Sequence, residues 1–217
     1  PSHAGATTML VDQTPFSKFE VKGPGALEGL ERICANRIDK PVGSLTYTQL
    51  CNQRGGIECD LTVARVAEEE FYVVTGTAFA AHDLAWIQKN LLPGAFVATS
   101  DVTSARAVIN VCGPKSRELL RRVCREDVTN AGFPFMQCRE LFVGGAPALA
   151  LRVTYIGELG YELHVPSEYA QHAYETLREA GRELGVVNAG YRAIESLRLE
   201  KGYRYWSADV TPIENPY

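Results

Sequence analysis

Two hydrophobic periodicities alternate along the chain and predict its secondary structure. Apolar residues at helical spacing predict five helices, at residues 26–34, 78–91, 115–123, 170–184 and 189–202. Ser167 and Asn188 precede the last two helices and are predicted to cap them. Alternating or continuous apolar runs predict strands at residues 17–21, 44–53, 57–66, 70–76, 95–99, 107–111, 136–145, 147–156 and 160–166.

Neighbouring strands are joined by glycine pairs in place of helical crossovers. Gly55-Gly56 and Gly144-Gly145 lie between consecutive strand patterns, where tight turns need residues that tolerate positive φ. We therefore expect an α+β fold with antiparallel sheets and packed helices. A soft boundary near residues 105–113 predicts a first part at 1–108 and a second part at 109–217.

Composition narrows the classes of function. The 217 residues are 46% apolar and carry a formal net charge of -4, which supplies no basic surface for nucleic acid or anionic membrane. No apolar run is long enough to span a bilayer. The six cysteines have no metal-binding spacing, so we predict buried thiols in a reducing compartment and no metal site. The abrupt ends predict a fragment of a longer protein.

Asp60 is the most informative candidate, in the run "IECDLTV" after the Gly55-Gly56 turn. Strand alternation places Glu58, Asp60 and Thr62 on the face opposite Ile57, Cys59 and Leu61. Aspartate is depleted in strand interiors, so its presence there needs a reason. Either this face is exposed to solvent, or Asp60 lies at the wall of a pocket beside the Thr62 hydroxyl.

The second candidate region is "TYIGELGYELHV", in which Gly157 and Gly160 interrupt a strand pattern. Tyr155 and Glu162 flank this turn. A ring that stacks and a carboxylate that accepts two hydrogen bonds suit a heterocycle with adjacent N–H donors. An ordinary surface turn with strand tyrosines is the alternative.

The motifs together resemble one family over nearly the whole chain. The quoted runs are "LTYTQLCNQRGGIECDLTVARV", "ARAVINVCGPKSRELL", "YIGELGYELHVP" and "YRAIESLRLEKGYRYW". They are similar to the glycine-cleavage T-protein, or aminomethyltransferase, family. The likeness is greatest to the folate-binding module of sarcosine and dimethylglycine dehydrogenase-like flavoproteins. The resemblance implies a folate-binding fold with a ferredoxin-like subdomain, with the family's C-terminal barrel domain outside this chain.

The resemblance also implies site residues and a reaction. Asp60 matches the family's essential aspartate beside the reactive nitrogens of tetrahydrofolate, and Thr62 follows it. Tyr47 matches a tyrosine lining the folate cavity, while Tyr155 and Glu162 match the residues that hold the pteridine. The implied product is 5,10-methylenetetrahydrofolate, made from an amine-derived iminium or an aminomethyl carrier. A flavin domain with FAD would belong to the full-length protein, in a bacterial cytoplasm or a mitochondrial matrix.

The sequence departs from the family at one folate-contacting position. T-proteins carry an arginine just before the "LRLE" run, where this chain has Ile194, and Arg192 lies on another side of the helix. A non-catalytic regulatory subunit of pyruvate dehydrogenase phosphatase resembles the same dehydrogenases and remains an alternative function. Folate-binding iron–sulfur assembly proteins carry a cysteine where this chain has "KGYRYW", which argues against that third function.

Overall fold

The computed structural model describes residues 8–216 except 92, 93 and 95. Its described strands are β1 (Met9–Asp12), β2 (Ser17–Lys22), β3 (Leu45–Cys51), β4 (Ile57–Ala67), β5 (Glu70–Thr75), β6 (Ala98–Asp101), β7 (Arg106–Cys112), β8 (Cys138–Val143), β9 (Ala146–Leu151), β10 (Gly160–Pro166) and β11 (Val187–Ala189). Its described helices are α1 (Ala26–Ile33), α2 (Ala80–Asn90), α3 (Ser116–Val123), α4 (Ala170–Ala180) and α5 (Tyr191–Glu200).

The chain forms two compact units, each built from two separate segments. Unit 1 comprises the described part of Pro1–Pro15 together with Ser104–Tyr203, and unit 2 comprises Phe16–Thr103 with the described part of Arg204–Tyr217. The sequence-based division at residues 108 and 109 differs from this partition. It misses that β1 pairs with β7 and that the end of the chain joins the earlier unit.

Unit 1 is a six-stranded sheet in the order β11-β1-β7-β10-β9-β8. All of its pairs are antiparallel except β1 with β11. The strands β7, β10 and β9 lie side by side, and α3 and α4 follow β7 and β10 in the chain. This is the arrangement of a ferredoxin-like split βαβ unit.

Both faces of this sheet are covered. Tyr161, Leu163 and Leu177 belong to the larger core, which lies on the side of α3 and α4. Because side chains alternate along a strand, Glu162 and His164 point to the opposite face. A smaller apolar cluster covers that second face and includes Ile156 and Ile194.

Unit 2 is an antiparallel five-stranded sheet in the order β3-β4-β5-β2-β6. One face packs against α1 and α2 through a core that contains Leu30, Leu61 and Ile87. The predicted alternation along β4 is confirmed, because Ile57, Cys59, Leu61 and Val63 are buried while Glu58, Asp60 and Thr62 are half-buried. The α+β fold with antiparallel sheets is likewise confirmed.

Several predicted boundaries were wrong. The strand expected at 147–156 ends at Leu151, so Tyr155 lies in a loop. Asn188 does not cap α5, because it lies in β11 and the N-cap is Gly190. Ser167 begins a 3-10 turn before α4 and donates to the Ser104 carbonyl at 2.7 Å. The strand expected at 95–99 corresponds to β6, which the structure has at Ala98–Asp101. Residue 95 lies outside the described residues.

The cysteines are unpaired thiols, and three of them, Cys59, Cys112 and Cys138, are buried as the sequence predicts. All six are free and either buried or half-buried. Burial raises the pKa of the Cys34 and Cys112 thiols to about 12, so they stay protonated at neutral pH. Among the described helices, none combines the length and the apolar character needed to cross a bilayer.

Candidate functional site

The hairpin that carries Asp60 has two glycines at its turn, and each is required for a different structural reason. Gly55 takes a φ of 81°, which favours glycine. Gly56 is needed for space, because a Cβ there would lie 2.1 Å from the Pro212 carbonyl oxygen. The Asn52 side-chain oxygen accepts hydrogen bonds from Arg54 N at 2.9 Å and Gly56 N at 3.0 Å. The turn is thus specified by Asn52 within the hairpin and by the close approach of Pro212, which is distant in sequence.

Asp60 is held by a neighbour on the adjacent strand. Tyr47 and Thr62 are direct cross-strand partners, and the Tyr47 hydroxyl donates to Asp60 Oδ2 at 2.7 Å. Thr62 is half-buried on the same face, two residues along β4. Tyr47 is 45% exposed, and its hydroxyl is the donor that holds the half-buried carboxylate.

Burial makes Asp60 a stronger base than an ordinary aspartate. Loss of solvation raises the pKa of its carboxyl from 3.8 to about 6. The hydrogen bond from Tyr47 opposes this rise, while the negative charge of Asp83 adds to it. A carboxyl with this pKa is mostly ionised at neutral pH and can still take up a proton, which is what acid–base catalysis requires.

Sequence reasoning missed Asp83, a buried carboxylate on α2. It is only 1% exposed, accepts a hydrogen bond from Thr75 Oγ1 at 2.5 Å and lies 2.9 Å from His82 Nδ1. The available signal was its place four residues before the buried Ile87, on the apolar face of the helix. Cys59, His82 and Asp83 bring ligand-type atoms within 4.8 Å of one another, but their side chains already form a hydrogen-bonded group.

In unit 1, the structure places Tyr155 and Glu162 on the same side of the sheet. Tyr155 packs against the cluster that contains Ile156 and Ile194. Glu162 is half-buried on β10 opposite Asn110, and its Oε2 lies 3.4 Å from His164 Nε2. The two residues predicted to recognise a heterocycle therefore share one half-buried face.

Two features modify this face of unit 1. The Tyr155 ring stacks on Tyr203 with centroids 5.9 Å apart and planes 8° from parallel, so one of its faces is covered. The Asn110 side-chain oxygen is buried and accepts no hydrogen bond from the described residues. Asn110 lies directly opposite Glu162 in the sheet, so this oxygen and a carboxylate are neighbours there. This pair of acceptors suits a ligand rich in N–H groups.

Ile194, the position at which the resemblance implies an arginine, is a core residue in the structure. It is fully buried in the smaller apolar cluster of unit 1. Arg198 on the same helix is also buried, but it is engaged by Glu195 and by the Tyr203 carbonyl oxygen at 2.9 Å.

Comparison with known proteins identifies the family of the chain. The family model described as GCVT N-terminal domain matches residues 3–217. A solved structure of the glycine cleavage system aminomethyltransferase T from Bartonella henselae is 28% identical, with a TM-score of 0.82 over 99% of this chain and 56% of that one.

Curated relatives extend the comparison to larger proteins. A 4-methylaminobutanoate oxidase (formaldehyde-forming) of Paenarthrobacter nicotinovorans is 41% identical over 96% of this chain, and the mitochondrial dimethylglycine dehydrogenase of Rattus norvegicus is 35% identical over 95%. A mitochondrial pyruvate dehydrogenase phosphatase regulatory subunit of Mus musculus is 34% identical over 95%. The chain spans about a quarter of the length of these relatives, at 25%, 24% and 24%. The chain therefore belongs to the aminomethyltransferase family defined by the GCVT N-terminal domain.

Proposed function

We propose that the chain is a tetrahydrofolate-binding module that transfers a one-carbon unit. It accepts the carbon from an iminium derived from an N-methyl amine, or from an aminomethyl carrier, and yields 5,10-methylenetetrahydrofolate. The observation that carries this proposal is Asp60, a half-buried carboxylate hydrogen-bonded by Tyr47 with a pKa of about 6. Membership of the aminomethyltransferase family supports it.

Each site residue has a separate task in this proposal. Tetrahydrofolate supplies the nucleophilic nitrogens that receive the carbon. The Glu162 carboxylate accepts hydrogen bonds from the pteridine N–H groups, and Tyr155 offers an aromatic face. Tyr47 and Thr62 line the folate position beside Asp60.

Asp60 acts through both charge and proton transfer. Its ionised carboxylate stabilises a cationic carbon, and removal from water strengthens this attraction. Because its pKa of about 6 lies near the operating pH, it can also accept the proton that the attacking nitrogen releases. The hydrogen bond from Tyr47 fixes the direction of the carboxylate, so little reorganisation accompanies the reaction.

The larger protein is part of the proposal. We infer a flavin-binding domain with FAD that oxidises the N-methyl amine and delivers the iminium, in a bacterial cytoplasm or a mitochondrial matrix. Relatives that are named as dehydrogenases and oxidases support this inference. Small-molecule folate and amine are the expected ligands, and the net charge of -4 gives no reason to expect nucleic acid.

Calorimetric titration with tetrahydrofolate tests binding, on the 217-residue chain and on a longer protein that includes the C-terminal barrel domain. Transfer is then measured as 5,10-methylenetetrahydrofolate formed from formaldehyde, above the uncatalysed condensation. Asp60→Asn should keep the dissociation constant within about threefold and lose transfer by about 10²-fold or more. Absence of binding by both proteins, or a wild-type transfer rate in Asp60→Asn, contradicts the proposal.

A regulatory role is the second candidate, because a phosphatase regulatory subunit is as similar in sequence as the dehydrogenases. A regulatory module would bind tetrahydrofolate without turnover, or would not bind it. Oxidation of an N-methyl amine by the full-length protein, together with folate-dependent transfer, decides for the enzyme.

A further inference from the structure

The strand that carries Asp60 has an edge that β5 does not cover. The pairing of β4 with β5 begins at Leu61, so residues 57–60 extend beyond it. The segment 204–216, here called the C-terminal segment, belongs to the same unit and contacts this edge. Ile57 N donates to the Glu214 carbonyl oxygen at 3.1 Å, and Trp206 Nε1 donates to the Ile57 carbonyl oxygen at 3.2 Å. The end of the chain thus completes the hydrogen bonding of Ile57.

His82 on α2 lies at the centre of this arrangement. Its ring is flanked by Trp86 at 6.3 Å and Trp206 at 6.5 Å between centroids, with planes tilted by 19° and 27°. Its Nδ1 lies 2.9 Å from Asp83 Oδ1, and its Nε2 lies 3.6 Å from Glu58 Oε2. One imidazole therefore touches α2, the start of β4 and the C-terminal segment.

We propose that His82 is a positioning residue, which clamps the C-terminal segment against the uncovered edge of β4 and so fixes the strand that presents Asp60. The clamp rests on the proposed function only for its effect on transfer. Its contacts come from three separate elements, and Glu58 is itself held by Asn52 Nδ2 at 2.8 Å. Loss of the imidazole removes both ring contacts and both carboxylate contacts together.

The effect on the reaction follows from distance along the strand. Ile57 and Glu58 precede Asp60 by three and two residues in the same extended strand. A displacement of their edge therefore moves the carboxylate, while residues of unit 1 keep their own packing. Misplacement of a catalytic group by about 1 Å costs between about tenfold and a hundredfold in rate. We expect His82→Ala to lower kcat by that factor and to change KM by less than about twofold.

The two tryptophans allow a direct test of the clamp, since the chain has no others. In a Trp86→Phe background, Trp206 is the single indole, and its collisional quenching by acrylamide reports how well the C-terminal segment is held. His82→Ala should raise this quenching constant by at least about twofold relative to the parent. His82→Gln keeps a planar amide donor and should restore part of both the quenching protection and kcat.

His172→Ala is the matched control. His172 is also an exposed helical histidine, but it lies on α4 of unit 1 with Nε2 2.8 Å from the Gly144 carbonyl oxygen. This variant should leave Trp206 quenching and kcat at the parent values. Circular dichroism of each variant confirms that the comparison is made between folded proteins.

The outcomes separate the clamp from the proposed function. Unchanged Trp206 quenching in both His82 variants overturns the clamp, whatever happens to transfer. Increased quenching with unchanged kcat also overturns it, because the segment would then not position Asp60. A fully active Asp60→Asn variant refutes the proposed function instead, while the quenching result still reports on the clamp.

Discussion

Replacement of Asp60 by asparagine should stabilise unit 2 at alkaline pH while it removes activity. Burial raises the pKa of the Asp60 carboxyl from 3.8 to about 6, so the folded state holds its proton more tightly than the unfolded chain does. A group with a raised folded-state pKa contributes stability that is complete below about pH 4 and is lost as pH rises through about 6. Ionised Asp60 is therefore unfavourable for folding at pH 8.

The size of the effect follows from that pKa. A rise from 3.8 to about 6 corresponds to about 3 kcal/mol at pH 8. Asparagine carries no charge, so it avoids this cost, and the hydrogen bond from Tyr47 is already included in the pKa of about 6. We expect Asp60→Asn to raise the free energy of unfolding by about 3 kcal/mol at pH 8 and by less than about 1 kcal/mol at pH 4.

Urea unfolding followed by tryptophan fluorescence measures this difference. Both tryptophans, Trp86 and Trp206, belong to unit 2, so the signal reports on the unit that contains Asp60. Glu69→Gln is the matched control, because Glu69 is an exposed carboxylate in the same unit. It should change the unfolding free energy by less than about 0.5 kcal/mol at either pH.

Two results would refute the reasoning. A stability difference between Asp60→Asn and wild type that is the same at pH 4 and pH 8 would show that the Asp60 charge is not its source. A destabilised variant at pH 8 would show that the carboxylate is stabilised by its surroundings, and that its pKa in the folded state is not raised.

Three further variants test other parts of the site and core. Tyr47→Phe removes the hydrogen bond that opposes the rise in the Asp60 pKa, so the acid limb of the pH–rate profile for transfer should move to higher pH. An acid limb at the wild-type pH would contradict the role given to this hydrogen bond. Glu162→Gln should weaken tetrahydrofolate binding by about tenfold to a hundredfold, measured by calorimetric titration, with little change in kcat. An unchanged dissociation constant would show that Glu162 does not bind the folate. Phe133→Ala deletes a fully buried ring beside Tyr161 and should destabilise unit 1 by about 3–5 kcal/mol. Hydrogen exchange of the β7 and β10 amides measures this loss, and unaltered protection of those amides would contradict a role of Phe133 in the core.

The local pattern was sufficient to place most elements of the fold. Alternation along β4 predicted which residues are buried, since a strand has a fixed period of two. The same reasoning failed at 152–156, where apolar and aromatic residues continue past the end of β9. Tyr155 and Ile156 are covered there by residues of α5 and by Tyr203, which lie far along the chain.

The division into units also could not be predicted from the local sequence pattern. The sequence predicts a soft boundary near residues 105–113, whereas the second segment of unit 1 begins at Ser104. The predicted boundary carries no information about which distant strand β1 joins. That choice depends on hydrogen bonds to β7 and β11, about 100 and 180 residues away in sequence.

The sequence by itself determined the family, the secondary structure of the Asp60 hairpin and the face on which Asp60 lies, because these depend on neighbouring residues and on motifs of fixed spacing. Only the tertiary structure decided the electrostatic state of Asp60, since burial, Tyr47 and Asp83 set its pKa together. It likewise brought His82, Glu58 and Trp206 into one cluster. The physical reason is that desolvation and charge interactions depend on distance in space, and residues far apart in sequence approach only when the chain is folded.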